Sequence, residues 1–176
     1  ENYSDDHNDD LSLITNNAGE YRHLAGMDAW LNALRSIQTD PRAAQPNMNV
    51  FANALDTVSD PSTQDGSGRI IVLITPPPDQ AGINAIQNLG SLAVQQNTRV
   101  VVWMVSAEDL FESPPANQLR ELALQTGGEF FAFSGTETFP DLEESIDPLR
   151  KSYRITYQSR LQAGTCLLYT SDAADE

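Results

Sequence analysis

The feature that most restricts the fold of this chain is an uninterrupted apolar run that ends in three prolines. Residues 70–74 read Ile-Ile-Val-Leu-Ile. A half-exposed strand would alternate apolar and polar residues, so this run predicts a strand that is buried on both faces and central in a parallel sheet. After Thr75 come Pro76, Pro77 and Pro78, which have no N–H to donate to a sheet. The strand must therefore end at Thr75. Ligands of parallel sheets bind beyond the carboxyl ends of the strands, which makes this exit the first candidate for a functional site.

Strands and helices alternate along most of the chain. Further strands are predicted at 11–15, 99–105 and 129–133, and amphipathic helices at 24–37, 79–96, 115–126 and 141–151, with one more that begins at Asn47 or Asn49. The three strongest strands start about thirty residues apart and are joined by helices, which is the spacing of βαβ units. Crossovers of this kind are nearly always right-handed. The sequence therefore predicts an α/β protein with a doubly wound, Rossmann-like, mostly parallel sheet and helices on both faces.

The charge of the chain limits the partners that it can bind. Acidic residues outnumber basic ones by 25 to 10, and the formal charge is −15. No cluster of Lys and Arg is present to follow a phosphate backbone, so the composition argues against nucleic acid and against anionic membrane surfaces. No apolar stretch reaches the length of a membrane span, so we expect no membrane contact by this segment itself.

The two ends of the sequence differ in character from the middle. Residues 1–10 hold four aspartates and predict an acidic loop, and residues 11–152 form the predicted α/β domain. Residues 153–165 are expected to start a following strand. Residues 166–176 back-translate to a sequence that resembles the transposase adapter of short-read sequencing libraries, so we expect this tail to lie outside the fold. The chain begins at Glu1 without Met, which indicates an internal start and an incomplete domain.

Several motifs resemble those of a von Willebrand factor A-like domain of the bacterial type. Residues 119–131 read Leu-x-x-Leu-Ala-x-x-Thr-Gly-Gly-x-Phe-Phe, and they follow a Val-rich strand and a central strand that closes with Ile-Thr. The segment 149–157, Leu-Arg-x-x-Tyr-x-Ile-x-Tyr, is similar to the exit from the last helix of bacterial members. The resemblance spans residues 11–157. It implies a Rossmann-like sheet, here with the family's first strand missing, and a divalent-cation site at the upper edge of that sheet.

The chain departs from the family's cation-site pattern at each ligand position. The family's Asp-x-Ser-x-Ser motif does not occur in this sequence. Asn49 stands where the family has a threonine, and it could offer a carbonyl oxygen or cap a helix. Pro76, which has no side-chain oxygen, follows Thr75 where the family has an aspartate. Asp79 could reach back to the site or cap the next helix. We therefore expect a degenerate metal-ion-dependent adhesion site with no metal and no other cofactor, unless upstream ligands restore binding of Mg²⁺ or Mn²⁺.

The loops after the central strands form the predicted ligand-binding rim. Its candidate residues are Asn49, Thr75, Pro76, Asp79, Ser106 and Glu108. The loops at 75–79, 106–113 and 134–139 carry several acids, which favours a protein partner with a basic surface, although the same acids could serve only to solvate loops and cap helices.

These observations indicate a non-enzymatic protein-interaction or scaffold module of a larger bacterial protein. The sequence contains neither a phosphate-binding glycine loop after a strand nor a nucleophile elbow with a positioned histidine. The alternative is a nucleotide- or small-molecule-binding α/β enzyme whose catalytic residues lie upstream. The family resemblance favours an extracytoplasmic or membrane-anchored location.

Overall fold

The structure is a computed structural model that describes residues 9–16, 19–38, 46–60 and 68–151. Its strands are β1 (Leu11–Ile14), β2 (Glu20–Leu24), β3 (Arg69–Thr75), β4 (Thr98–Val105) and β5 (Phe130–Phe133). Its helices are α1 (Met27–Ser36), α2 (Met48–Val58), α3 (Gln80–Gln95), α4 (Pro114–Gln125) and α5 (Leu142–Arg150). The predicted strand start at 153–165, the adapter-like tail and most of the acidic loop at 1–10 lie outside the described residues.

Strands β3, β4 and β5 form a parallel sheet in that order. Parallel neighbours need a crossover connection, and α3 and α4 provide the two crossovers. The register places Ile71 opposite Val100 and Met104 opposite Ala132. This arrangement confirms the predicted α/β, Rossmann-like architecture.

One face of the parallel sheet packs against α2, α3 and α4 and holds the main core. The buried side chains of this core come from all three helices and from β3 and β4; they include Phe51, Leu55, Leu73, Val100, Val102, Met104, Leu119 and Leu122. Each inward side chain is separated from the next by two positions along its strand, as expected for a pleated strand. Burial of apolar surface at this face is the main stabilising contribution to the fold.

Helix α5 lies on the opposite face, at the amino-terminal end of the strands. The guanidinium of Arg99 donates a hydrogen bond to the carbonyl of Ser145, at 2.9 Å, and Leu149 packs against Gly68. Arg150, with a side chain that is 13% exposed, pairs with both Asp9 and Glu143 and so fastens the end of α5 to the start of the described chain. Helices therefore lie on both faces of the sheet, as predicted, and α5 reaches only the amino-terminal end of its face.

Strands β1 and β2 form a separate antiparallel pair, and β2 was not predicted. Leu13 lies opposite Tyr21, and Leu24, assigned from the sequence to a helix over 24–37, belongs to β2. The helix begins only at Met27, because Gly26 has φ +89°, a left-handed conformation that a right-handed helix cannot include. The predicted helix start was therefore wrong by one turn.

The prediction that the apolar run at 70–74 is buried on both faces was also wrong. Within the described residues, β3 pairs with β4 alone and lies at the edge of the parallel sheet. Ile71 and Leu73 face the core, whereas Ile74 is 61% exposed on the other face. The reason is that α5 covers only the amino-terminal end of that face, and Ile74 lies near the carboxyl end.

Candidate functional site

The candidate site is the carboxyl edge of the parallel sheet, where three loops leave the strands. Because β3, β4 and β5 run in the same direction, the loops that begin at Thr75, Ser106 and Ser134 lie at the same edge. The last two are joined directly, since the Ser106 backbone N–H donates to the Phe133 carbonyl at 3.0 Å. The structure thus brings the three predicted rim loops together.

In the turn that follows β3, the side chains of Thr75 and Asp79 make hydrogen bonds to backbone groups. Thr75 is 4% exposed, and its hydroxyl donates to the carbonyl of Pro76 at 2.9 Å. Asp79 is the N-cap of α3, and its carboxylate accepts the Gly82 N–H at 2.8 Å. A carboxylate at this position also stabilises the positive end of the helix dipole. Of the two roles considered for Asp79, the structure shows the cap.

Helix α2 begins beside this turn, which places Asn49 near the rim. The side chain of Asn47 accepts the Asn49 N–H at 3.0 Å, so Asn47 is the N-cap and Asn49 lies exposed in the first turn of α2. Met48 contacts the start of α3, since its Cγ lies 3.7 Å from the position that a Cβ on Gly82 would take. Asn47, and not Asn49, is therefore the N-cap of α2.

The loop after β4 presents acidic side chains to solvent. Ser106 is half-buried and its hydroxyl donates to the Ala107 carbonyl at 3.2 Å, while Glu108 and Asp109 are exposed in a short 3-10 helix (Glu108–Leu110). Further along, Ser113 caps α4. Glu108 and Asp109 are therefore available to an external cation or a basic side chain.

The loop after β5 is held by the carboxylate of Glu137. This carboxylate accepts the backbone N–H of Ser134 at 2.7 Å, the hydroxyl of Ser134 at 2.8 Å and the backbone N–H of Thr136 at 3.3 Å. These hydrogen bonds, with that from the Ser134 backbone the largest cause, lower the pKa of Glu137 to about 2. Glu137 is thus ionised at neutral pH and a poor general acid.

Sequence reasoning did not single out the aromatic side chains beside this loop. Phe139 folds back on the sheet, with its ring centroid 4.4 Å from that of Phe133 and 5.1 Å from that of Trp103. The sequence could have predicted that Trp103, Phe131 and Phe133 share one face of the sheet, because alternate residues of a strand point to the same side. The position of Phe139, which follows a turn, had no comparable signal.

The candidate cation ligands do not assemble into a metal site. Within the described part of the chain, no group of three or more His, Cys, Asp or Glu side chains could hold a metal ion. The Thr75 hydroxyl is bonded to the Pro76 carbonyl, Pro76 offers no side-chain oxygen, and the Asp79 carboxylate caps α3. This donor set does not suit Mg²⁺ or Mn²⁺, which require several oxygen ligands around one point.

Comparison with known proteins identifies no relative: no family model, no curated protein and no solved structure matches the chain. Among the helices of the described ranges, none is long and apolar enough to cross a bilayer.

Proposed function

We propose that the chain is a non-enzymatic protein-interaction module of the von Willebrand factor A type, with a degenerate metal-ion-dependent adhesion site. Its binding surface is the acidic rim, defined as the loops 75–79, 106–113 and 134–139 at the carboxyl edge of the parallel sheet. The observation that carries this proposal is that three loops meet at the edge where parallel sheets bind their ligands, and that together they hold Asp79, Glu108, Asp109, Glu112 and Glu137, of which all but Glu137 are exposed.

The chemistry of the acidic rim favours a basic partner. Glu108 and Asp109 are exposed, Glu137 is ionised, and the three loops contain no Lys or Arg. An anionic surface of this kind steers basic partners and rejects acidic ones. Metal is not needed for this attraction between charges.

Two titrations of the purified chain test the proposal. In the first, calorimetry with Mg²⁺ and then Mn²⁺ is expected to give no saturable heat. In the second, oligolysine is titrated into the isotope-labelled chain, and the NMR signals of the acidic rim are expected to shift before those of the α3–α4 surface. Charge neutralisation by Glu108→Gln with Asp109→Asn should weaken this binding, whereas Glu121→Gln on the exposed side of α4 should not.

Saturable binding of either metal would show that a cation site forms despite Pro76. Equal effects of the rim variant and Glu121→Gln on oligolysine binding would refute the acidic rim as the binding surface.

A further inference from the structure

An apolar surface lies beside the acidic rim, on the face of the sheet that α2, α3 and α4 leave open. We call it the aromatic face; it consists of Ile74, Trp103, Val105, Phe131, Phe133 and Phe139. The strand register places Ile74 opposite Trp103, Trp103 opposite Phe131, and Val105 opposite Phe133. Phe139 packs on this group from the loop after β5. The six side chains therefore form one continuous surface.

The aromatic face is only partly covered. Exposed fractions are 61% for Ile74, 49% for Phe139 and 45% for Val105. Helix α5 contacts this side of the sheet at the other end, through Ser145 and Leu149. Parallel sheets are normally covered on both faces, and contiguous exposed apolar patches mark interaction sites.

Trp103, in the middle of this face, carries a polar group that its aromatic neighbours leave unsatisfied. Its indole N–H is buried and has no hydrogen-bond partner among the residues that the structure describes. A buried donor without an acceptor costs about 1–3 kcal/mol, and native structures satisfy nearly all such groups. The aromatic side chains that surround this donor supply no oxygen that could accept it.

The charges near the aromatic face indicate the chemistry of a partner that could bind there. The loops that leave the sheet at the same edge carry Asp79, Glu108, Asp109 and Glu137, and residues 76–79, 106–113 and 134–141 contain no Lys or Arg. A second copy of this chain carries the same formal charge of −15 and would bring the same acidic loops to this surface, so self-association is opposed by repulsion. The complementary occupant has an apolar stripe flanked by basic side chains.

A helix fits this surface better than an extended segment. Added strands pair with the edge of a sheet, whereas the aromatic face is the flat side of one, and the flat sides of parallel sheets are covered by helices. The other side of this same sheet is covered in that way by α2, α3 and α4.

We propose that the aromatic face binds a basic amphipathic helix of a partner protein, whose apolar stripe covers Ile74, Val105 and Phe139 while its Lys and Arg side chains reach the acidic rim. This inference rests on the proposed function and specifies the class of partner.

Fluorescence anisotropy with designed peptides tests the inference on the whole chain. The probe is a labelled Leu/Lys peptide of about 18 residues, long enough to form a helix on binding, with its leucines on one helical face. One control peptide has the same composition with its leucines dispersed, and a second has Glu in place of Lys. We expect the first peptide to bind and both controls to bind at least about tenfold more weakly, which corresponds to about 1.4 kcal/mol.

Protein variants locate the binding surface. Ile74→Ser with Val105→Ser removes exposed apolar groups and is expected to weaken binding about tenfold. Leu124→Ser is the matched control, since Leu124 is 70% exposed on α4, away from the aromatic face, and it should leave the affinity unchanged. The indole N–H signal of Trp103 should shift on binding, and this shift identifies the contact without reference to affinity.

The outcomes separate this inference from the proposed function. If dispersed and striped peptides bind equally and Ile74→Ser with Val105→Ser has no effect, the helix proposal is overturned; a loss of binding in Glu108→Gln with Asp109→Asn would then leave the acidic rim standing. If neither pair of substitutions matters, both proposals fail. Tight binding of the Leu/Glu peptide overturns the basic occupant. The proposal would also be overturned if the chain dimerises or binds phosphatidylcholine vesicles and the Ile74 and Val105 substitutions abolish that association. The surface would then belong to another occupant.

Discussion

Replacing Gly128 with alanine is expected to be among the most destabilising single changes in this chain. A Cβ on Gly128 would lie 2.0 Å from the carbonyl oxygen of Val100 and 2.5 Å from its carbonyl carbon. Both atoms belong to the backbone of β4, which is paired on both sides, so they cannot move without shifting the sheet. Overpacking against flexible side chains costs about 1–3 kcal/mol, and a clash with a fixed backbone should cost at least about 3 kcal/mol.

The adjacent glycine provides a matched control. Gly127 has φ +72°, but a Cβ there would meet no atom within 4 Å. Gly127→Ala should therefore cost only the strain of a left-handed alanine, about 1–2 kcal/mol. The two variants add the same methyl group to neighbouring residues of one turn and separate two causes: left-handed strain at Gly127 and the approach to β4 at Gly128.

Thr126 connects the same turn to β4 through hydrogen bonds. Its hydroxyl accepts the Val100 N–H at 3.1 Å and donates to the Leu122 carbonyl at 3.0 Å. Thr126→Val keeps the shape of the side chain and removes both bonds. Since a buried N–H is then left without its acceptor, we expect a loss of about 1–3 kcal/mol.

Urea denaturation followed by circular dichroism measures all three variants. The expected order of unfolding free energies is the parent chain first, then Gly127→Ala and Thr126→Val, and Gly128→Ala last. If Gly128→Ala does not fold without denaturant, Thr126→Val still tests the contact between the turn and β4. A Gly128→Ala protein as stable as Gly127→Ala would refute the close approach of Gly128 to Val100.

Acidification should weaken the turn at Glu137, because folding lowers the pKa of this residue from 4.5 to about 2. Its contribution to the free energy of unfolding is therefore present above pH 4.5 and is lost as the pH falls towards 2. In Glu137→Gln, the unfolding free energy should vary less over this interval; an unchanged profile would contradict the assignment. The pKa of His23 is raised above 6.5, chiefly by its hydrogen bond to Asp10, so its contribution is complete below pH 6.5 and is lost as the pH rises through the folded-state pKa. His23→Gln should remove this part of the pH dependence of urea unfolding. Leu119→Ala empties a fully buried site and should cost about 2–5 kcal/mol by the same assay, and a smaller loss would mean that the core collapses around it.

Local signals were sufficient to predict the parallel α/β framework. The apolar runs of β3 and β4 and the helical spacing of α3 and α4 identify elements that are stabilised largely by residues near in sequence. By contrast, β2 contains Glu20, Arg22 and His23 and has little apolar character. It is a strand because it pairs with β1, and pairing depends on the neighbour as well as on the segment itself.

The exposure of β3 could not be predicted for a similar reason. Ile71 and Ile74 are the same residue type in the same apolar run, yet their exposed fractions are 7% and 61%. The residue type determines how much free energy burial of an isoleucine would contribute. Whether each isoleucine is buried depends on where α2 and α5 lie on the two faces of the sheet. Most of the candidate rim followed from strand ends, and Asn49 from the family resemblance, but the hydrogen bonds of Thr75 and Asp79 depend on how the turn between them folds.

The turn at 134–139 links the two surfaces proposed here. The Glu137 carboxylate holds Ser134 and Thr136, and two residues later Phe139 lies on Phe133 and Trp103. The same turn therefore fixes an anion in the acidic rim and an aromatic ring in the aromatic face. A basic side chain that approaches Glu137 meets a carboxylate that is already ionised and oriented, so little further ordering of this loop is required on binding. Charge attraction at the acidic rim and apolar contact at the aromatic face are for this reason expected to be parts of one binding event.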